Sequence, residues 1–185
     1  MRANILILIF TILLGVGVTF WLDDLSRSFS KDSKLPRMPA VQNSPIESVP
    51  EFEFIDINGQ KHHIRDYKGK VMLIHFWATW CAPCVVEFPK IIHLASDRPE
   101  IVVIALSSDI SDEKILRFLE KNPERSSRFI VARDVKREIT EGLFQTFKLP
   151  ETFVISPSGL IVKKMVGDID WDSKEIDNLL SSLKK

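Results

Sequence analysis

The sequence predicts an α/β fold in which a central mixed sheet carries helices on both faces. Two nearly continuous apolar runs of strand length, Val71–Trp77 and Ile101–Leu106, flank a helical segment, which predicts a parallel strand-helix-strand unit. Two later strands are separated only by the turn Ser156–Gly159 and are therefore expected to pair antiparallel. With 185 residues, the chain can form one domain of ordinary size plus an additional terminal segment.

The first half of the domain contains a hairpin, a core strand and a helix. Apolar and acidic residues alternate over 51–54, and Asn58-Gly59 predicts a tight turn before a second short strand over 61–65. The first core strand follows and leads directly into two cysteines. A helix is then predicted over 85–95, with a kink at Pro89.

The second half is predicted to contain a helix, a strand, a helix, two strands and a helix. They are a helix capped by Ser111, a strand over 129–132, a helix opened by Asp134, strands over 152–155 and 160–166, and a closing helix with Asp172 or Ser173 as its N-cap.

Residues 1–24 are predicted to form a transmembrane anchor. Ile5–Leu22 is an 18-residue run without a charged side chain, close to the roughly 20 residues that a helix needs to cross a bilayer. Arg2 precedes the run and two aspartates follow it, which predicts a cytoplasmic N-terminus and an exported domain. A cleaved signal peptide is the alternative, although no small-x-small cleavage site follows the run.

Residues 25–50 are predicted to be a flexible tether and residues 51–185 the folded domain. The tether is rich in Ser, Pro, Lys and Asp and lacks apolar periodicity. Lys plus Arg equals Asp plus Glu, at 25 each. This balance creates no long-range field that would favour nucleic acid, so nucleic-acid binding is not expected.

The only two cysteines stand at the junction between the first core strand and its helix. Cys81 is expected at the helix N-terminus, with Cys84 on the same face one turn later. Their Cα atoms would then be about 5 to 6 Å apart, a spacing that a disulfide accepts. Free N–H groups and the positive end of the helix dipole stabilise a thiolate, so Cys81 is the expected nucleophile and Cys84 the resolving thiol.

The residues around the cysteines favour a redox pair over a metal site. Pro83 lacks an N–H, which costs nothing in a first helical turn, and it stiffens the loop between the sulfurs. Trp80 is expected to shield the sulfurs on one side. Half of a zinc site has the same Cys-x-x-Cys pattern, but no second cysteine pair exists, and His62, His63 and His93 do not recur at a ligand spacing. A redox-active disulfide without a metal or another cofactor is therefore predicted.

The run from Phe76 to Cys84, followed by Leu149-Pro150-Glu151-Thr152-Phe153, resembles a thioredoxin. The resemblance covers about residues 52–185 and implies a thioredoxin-like fold. The Asn-Gly hairpin, the run Asp66–Lys70 and the N-terminal anchor are more closely similar to the TlpA/ResA/DsbE-like branch. That branch contains the membrane-anchored, extracytoplasmic thiol reductases of cytochrome c maturation.

The resemblance also implies a substrate-binding segment that faces the disulfide. Pro150 matches the cis-proline of the family, and Leu149 matches the residue whose backbone hydrogen-bonds an extended substrate. Thr152 follows in the same segment. A proline that merely starts an edge strand is the alternative.

Two polar residues near the cysteines are expected to tune them. Glu87, three residues after Cys84, matches a carboxylate of ResA-like members, and a negative charge there would raise the pKa of a thiolate. The alternative is an exposed partner of the helix dipole. His75 stands where thioredoxins carry a buried Asp, and its neutral imidazole could accept the proton of Cys84. A satisfied core histidine is the alternative.

The resemblance implies a reductant of exported protein disulfides, with apocytochrome c as the best single substrate. The domain would face the periplasm or extracytoplasmic space from a single span in the cytoplasmic membrane. A reductase in an oxidising compartment needs an electron donor, and a membrane protein of the DsbD or CcdA kind would supply one.

The sequence is compatible with three alternative functions. The first is a disulfide-forming oxidase or isomerase, which differs in reduction potential. The second is a thioredoxin-fold metallochaperone, although such factors use Cys-x-x-x-Cys with a later histidine, and none follows His93. The third is a peroxiredoxin, which needs a threonine where this chain has Ala78.

Overall fold

A computed structural model describes residues 47–184 together with Gly17, Thr19 and Trp21. The predicted anchor lies almost entirely outside the described residues, as does the predicted tether up to residue 46. None of the helices among the described residues is long and apolar enough to cross a bilayer. The chain divides into two compact units, Met1–Ser44 and Pro45–Lys185, and the folded domain is the second.

A two-stranded antiparallel hairpin opens the domain. Strand β1 (Glu53–Ile55) pairs with strand β2 (Lys61–His63). Gly59 adopts a φ of 84° in the turn, a left-handed conformation that glycine tolerates without a steric penalty. A short 3₁₀ helix, Ile64–Tyr67, follows β2 and leads towards the central sheet.

The central sheet has five strands in the spatial order β5-β4-β3-β6-β7. They are β3 (Val71–Trp77), β4 (Ile101–Ser107), β5 (Phe129–Arg133), β6 (Glu151–Ile155) and β7 (Ile161–Val166). Strands β3, β4 and β5 are mutually parallel, whereas β6 and β7 are antiparallel to their neighbours. The sheet is therefore mixed, which confirms the prediction from the sequence.

Three α-helices lie among the described residues of the domain, and their starts refine the sequence prediction. They are α1 (Ala82–Asp97), α2 (Asp112–Glu120) and α3 (Lys174–Ser182). Helix α1 starts three residues earlier than predicted, so Pro83 lies in its first turn. Ser173 caps α3 by accepting a hydrogen bond from the N–H of Ile176, whereas Ser111 precedes α2 without a side-chain cap.

The helix predicted to open at Asp134 is different in the structure. A six-residue π-helix, Glu138–Leu143, occupies this region instead. The Asp134 carboxylate accepts hydrogen bonds from the N–H and hydroxyl of Thr140, at 2.6 and 2.7 Å. Asp134 therefore holds the middle of the π-helix rather than capping its start.

Apolar clusters fill both faces of the sheet. The buried residues of all three α-helices join the cluster on one face, where Leu73 and Trp77 of β3 contribute. On the other face, Phe76 packs with the hairpin and with Phe144 behind the π-helix. Side chains two residues apart in a strand point to the same face, so His75 shares the face of Leu73 and Trp77, which α1 covers.

Two short segments cover the outer strands of the sheet. The hairpin reaches β5, where the N–H of Ile57 donates to the carbonyl of Val131 at 2.9 Å. At the other side, Ser48 forms an isolated antiparallel bridge with Leu160, directly before β7.

Candidate active site

The two cysteines form a disulfide at the end of β3 and the start of α1. Their sulfurs are 2.05 Å apart and their Cα atoms 5.3 Å apart, within the predicted spacing. Cys81 is the N-cap of α1, and its sulfur accepts a hydrogen bond from the N–H of Cys84 at 3.4 Å. Cys81 is 6% exposed and Cys84 is fully buried. Of the two cysteines, only Cys81 retains any exposed surface.

The first turn of α1 favours negative charge on Cys81. N–H groups in the first turn of a helix have no intrahelical acceptor, and they form the positive end of its dipole. Pro83 supplies no N–H but fixes the turn that separates the two sulfurs. Trp80 is 63% exposed, so most of its ring faces solvent beside the disulfide.

The segment that precedes β6 lies at the same end of the sheet as the disulfide. The Leu149-Pro150 peptide bond is cis, as predicted from the sequence. Glu151, the first residue of β6, pairs with Phe76 near the end of β3, so Pro150 lies at the edge from which the chain continues to Cys81. The Pro150 carbonyl accepts a hydrogen bond from the N–H of Gly167 at 2.9 Å. Leu149 is half-buried and Thr152 is buried.

His75 and Glu87 face each other in the core beneath the first turns of α1. Both side chains are fully buried, and His75 Nε2 is 3.6 Å from Glu87 Oε1. Neither of these two atoms has a hydrogen-bond partner among the described residues. The other ring nitrogen, His75 Nδ1, is 2.9 Å from the hydroxyl of Thr152. Strand β6 therefore orients the ring that faces the carboxyl.

Burial shifts the pKa of both groups towards their neutral forms. It raises the pKa of Glu87 to about 7, and a hydrogen bond from the N–H of Ile169 opposes the shift only in part. Burial lowers the pKa of His75 well below its usual range. The pair is thus a neutral imidazole beside a carboxyl that gains or loses its proton near neutral pH.

Asp109 is a further buried acid at this end of the sheet, and it belongs to none of the motifs that predict the site. It is 1% exposed and accepts hydrogen bonds from the N–H and hydroxyl of Thr79 at 2.8 and 2.6 Å. The hydroxyl of Ser107 donates to the same carboxylate at 2.7 Å. Its position just beyond a predicted parallel strand was the available signal, because such strand ends share one edge with the cysteines.

The described part of the chain offers no evident metal centre. Within it, no three His, Cys, Asp or Glu side chains converge as a metal ion would require.

A thioredoxin-like α/β fold with a disulfide in the first turn of the helix after β3 defines a thiol-disulfide oxidoreductase. The chain belongs to the AhpC/TSA family, which matches residues 45–164. It is 32% identical over 124 residues to the thiol-disulfide oxidoreductase ResA of Bacillus cereus, across 66% of this chain and 69% of the relative. The ResA of Bacillus subtilis is 33% identical over 124 residues, across 64% of this chain and 65% of the relative.

Solved structures show the same fold. A thiol:disulfide interchange protein DsbE from Chlorobium tepidum superposes with a TM-score of 0.65 and 26% identity, covering 75% of this chain and 96% of that chain. The likeness therefore spans nearly the whole of that protein.

Proposed function

We propose that this chain is an extracytoplasmic, membrane-tethered reductant of protein disulfides. The observation that carries the proposal is the asymmetry of the two cysteines, since Cys81 at the head of α1 retains 6% exposure whereas Cys84 is fully buried. A partner can reach only the first sulfur, and the second remains inside to complete the exchange.

The exchange has two balanced steps. The Cys81 thiolate attacks one sulfur of the partner disulfide, forming a mixed disulfide and expelling the other partner sulfur as a thiolate. Cys84 then loses its proton and attacks the sulfur of Cys81, which expels the second partner sulfur. The partner gains two electrons and two protons, and the domain becomes oxidised.

Buried residues of the site are assigned to proton handling. Glu87 lies one helical turn after Cys84, and its carboxylate accepts the Cys84 proton in the resolving step. His75 faces Glu87 and holds that proton between the two side chains. Thr152 positions the imidazole through the contact with Nδ1.

Exposed residues of the site are assigned to partner binding. The backbone of Leu149, held beside cis-Pro150, pairs with an extended segment of the partner. Trp80 covers the partner sulfur from the opposite side, and Pro83 keeps the two cysteine sulfurs in register. The disulfide is the only redox group that the mechanism requires.

The proposed setting rests on the N-terminal run and on the resemblance to the TlpA/ResA/DsbE-like branch. Ile5–Leu22 anchors the chain once in the cytoplasmic membrane, and the domain faces the periplasm or extracytoplasmic space. Apocytochrome c is the proposed substrate, and a membrane protein of the DsbD or CcdA kind is the proposed electron donor. Anchoring both proteins in one membrane raises their effective concentration without new contacts.

Trapping tests the proposal. In Cys84→Ser the first step still occurs but the second cannot, so the substrate stays linked to Cys81. Expression of full-length Cys84→Ser in the native host should yield a covalent complex with apocytochrome c that dithiothreitol releases. The double variant Cys81→Ser/Cys84→Ser is the matched control and should yield none. Exclusive capture of unrelated secreted proteins would instead identify an oxidase or isomerase.

A further inference from the structure

A short segment between β7 and α3 reaches the buried side of the site. The N–H of Gly167 donates to the carbonyl of Pro150 at 2.9 Å, at the start of the segment. Two residues later, the N–H of Ile169 donates to Glu87 Oε2 at 3.3 Å. The segment therefore contacts both the cis-proline and the buried carboxyl.

Trp171 ends this segment and is almost completely buried. It is 2% exposed and belongs to the apolar cluster that contains Cys84 and Phe88. Its backbone N–H donates to the carbonyl of Ile169 at 3.1 Å, which ties it to the residue that contacts Glu87. The indole nitrogen, Trp171 Nε1, is buried and has no hydrogen-bond partner of normal geometry within residues 47–184. Such a donor is retained at a cost unless it serves an acceptor nearby.

The Glu87 carboxyl has the acceptor that this indole lacks. Oε2 accepts from Ile169, whereas Oε1 is buried and has no hydrogen-bond partner in the part of the chain that the structure describes. Burial has the largest effect on the pKa of Glu87 and raises it, while the N–H of Ile169 and the indole N–H of Trp171 both lower it. The indole therefore favours the carboxylate over the protonated carboxyl.

Ionisable side chains from β3, from α1 and from the same segment also act on Glu87. His75 on β3 is 3.6 Å from Oε1, and burial lowers its pKa, so the ring is neutral. Asp168, exposed in the segment, raises the pKa of Glu87 by repulsion, and Lys90, exposed on α1, lowers it by attraction. Trp171 differs from all three because its indole is a hydrogen-bond donor only and does not titrate.

We propose that Trp171 is a positioning residue of the thiol exchange, whose indole N–H holds the Glu87 carboxylate ready for the proton of Cys84. This inference rests on the proposed function and extends its resolving step. In that step the proton leaves the Cys84 sulfur for a Glu87 oxygen. The Cys84 thiolate then attacks the Cys81 sulfur, so that the Cys81–Cys84 bond forms, the bond to the partner breaks, and the partner sulfur leaves as a thiolate.

Trp171→Phe tests the proposal, because it removes the N–H and keeps an aromatic ring. The full-length reduced protein in detergent is mixed with glutathione disulfide at concentrations where the rate no longer depends on it, so that resolution by Cys84 limits the rate. Stopped flow measures this rate as a function of pH. Trp77→Phe is the matched control, since Trp77 is equally buried and its indole nitrogen likewise lacks a partner within residues 47–184, but it lies outside the segment that contacts Glu87.

We expect the inflection of the resolving step to lie at least about half a pH unit higher in Trp171→Phe, since loss of the donor favours the protonated carboxyl. Below the inflection this shift corresponds to resolution that is roughly threefold slower. Trp77→Phe should leave the inflection in place. Glu87→Gln/Trp171→Phe should match Glu87→Gln alone, because Trp171 acts through Glu87.

Carbon-13 NMR of the Glu87 carboxyl in the oxidised protein is a second measurement that needs no turnover. Glu87→Gln identifies the signal, and its midpoint should rise in Trp171→Phe by the same half unit or more. Replacement of Trp171 by 3-benzothienylalanine, in which sulfur takes the place of the N–H at nearly the same size, should raise it equally and covers poor folding of the phenylalanine variant.

Two results would overturn the inference: a midpoint that does not move, or a midpoint that moves while the kinetic inflection stays in place. The second result would leave Trp171 with a purely structural role. Failure of the unmodified protein to reduce glutathione disulfide would instead contradict the proposed function itself.

Discussion

At the residue scale, the buried pair His75 and Glu87 is the chemically most informative feature of the site. Two polar atoms that have no hydrogen-bond partner within residues 47–184 face each other at 3.6 Å, and burial favours the neutral form of both side chains. A protonated Glu87 carboxyl can therefore lie beside a neutral His75 imidazole. Thr152 connects this pair to the strand that follows Pro150.

Replacing Glu87 with glutamine should remove a pH dependence of stability. The carboxyl has a pKa of about 7 when folded and an ordinary value of 4.5, so in this window the folded protein binds more protons than the unfolded chain. Stability should therefore fall by about 3 kcal/mol as pH rises from 4.5 to 7, and Glu87→Gln should abolish this loss. Urea unfolding of the oxidised protein at several pH values measures it.

Glu113→Gln is the control for that experiment, because this carboxylate is exposed and pairs with Arg117 on the surface. Glu113→Gln should leave the loss of stability between pH 4.5 and 7 unchanged. A decline of the same size in Glu87→Gln would show that another group causes it.

Replacing His75 with asparagine should shift the pH profile of thiol exchange. The shorter amide removes the basic nitrogen that faces Glu87, so the protonated carboxyl is less stabilised and its pKa falls. The rise of the exchange rate with pH should move about one unit lower, equivalent to about 1.4 kcal/mol. Stopped-flow exchange with glutathione disulfide measures the profile, which should lose this inflection altogether in Glu87→Gln. An unmoved profile would assign His75 a purely structural role.

Spacing along the chain predicts the cysteine geometry but not the burial of Glu87. The three-residue interval places Cys81 and Cys84 on one face of α1, and the observed Cα separation of 5.3 Å follows from helix geometry. Whether Glu87 points to solvent or towards His75 depends on how α1 packs on β3. That packing is set by contacts between residues distant in sequence, which local patterns do not contain.

At the element scale, the loop before α1 is held by Asp109, a buried acid that follows β4. The Asp109 carboxylate accepts three hydrogen bonds from Thr79 and Ser107. The same contact fixes the backbone next to the exposed side chains of Trp80 and Ile110. One side chain after β4, that of Asp109, thus holds the loops at the end of the sheet that carries the disulfide.

Asp109→Asn should destabilise the domain markedly. An amide nitrogen would replace one carboxylate oxygen and would face donors rather than accept from them. The loss should be about 2 to 3 kcal/mol, the usual cost of leaving buried partners of a charged group unsatisfied. Urea unfolding measures it, with Asp112→Asn as the control, since its exposed pair with Arg133 should contribute less than about 1 kcal/mol. Equal losses in both variants would contradict the anchoring role.

Periodicity identifies the strands of the sheet more reliably than the segment between β5 and β6. Strands β3 and β4 are buried along their whole length, so continuous apolar runs reveal them. Asp134 resembles a helix N-cap in sequence, yet its carboxylate binds Thr140 six residues later. A contact of that span supports a π-helix, a geometry too rare for sequence patterns to favour.

At the scale of the whole molecule, the proposed anchor and the redox domain have separate tasks. The domain contains all the residues that the exchange requires. The N-terminal run would only keep the domain near its electron donor in the membrane.

Removing residues 1–24 and exporting the remainder behind a cleavable signal should separate these tasks. Reduction of glutathione disulfide by the purified, pre-reduced protein should stay within about twofold of the full-length rate, because the site is intact. In cells, the fraction of protein with reduced cysteines should fall at least about tenfold as the effective donor concentration drops. Thiol trapping at the moment of lysis measures that fraction. An unchanged fraction would show that the donor does not depend on the anchor.

The short segments beside β5 and β7 protect the outer strands of the sheet when many copies of the domain are close together. Outer strands with open backbone groups can join those of another molecule and grow into polymers. Here Ile57 occupies a carbonyl of β5, and Ser48 bridges the residue before β7. Neighbouring copies of the domain therefore find fewer open backbone groups with which to pair outer strand against outer strand, which disfavours growth into fibres.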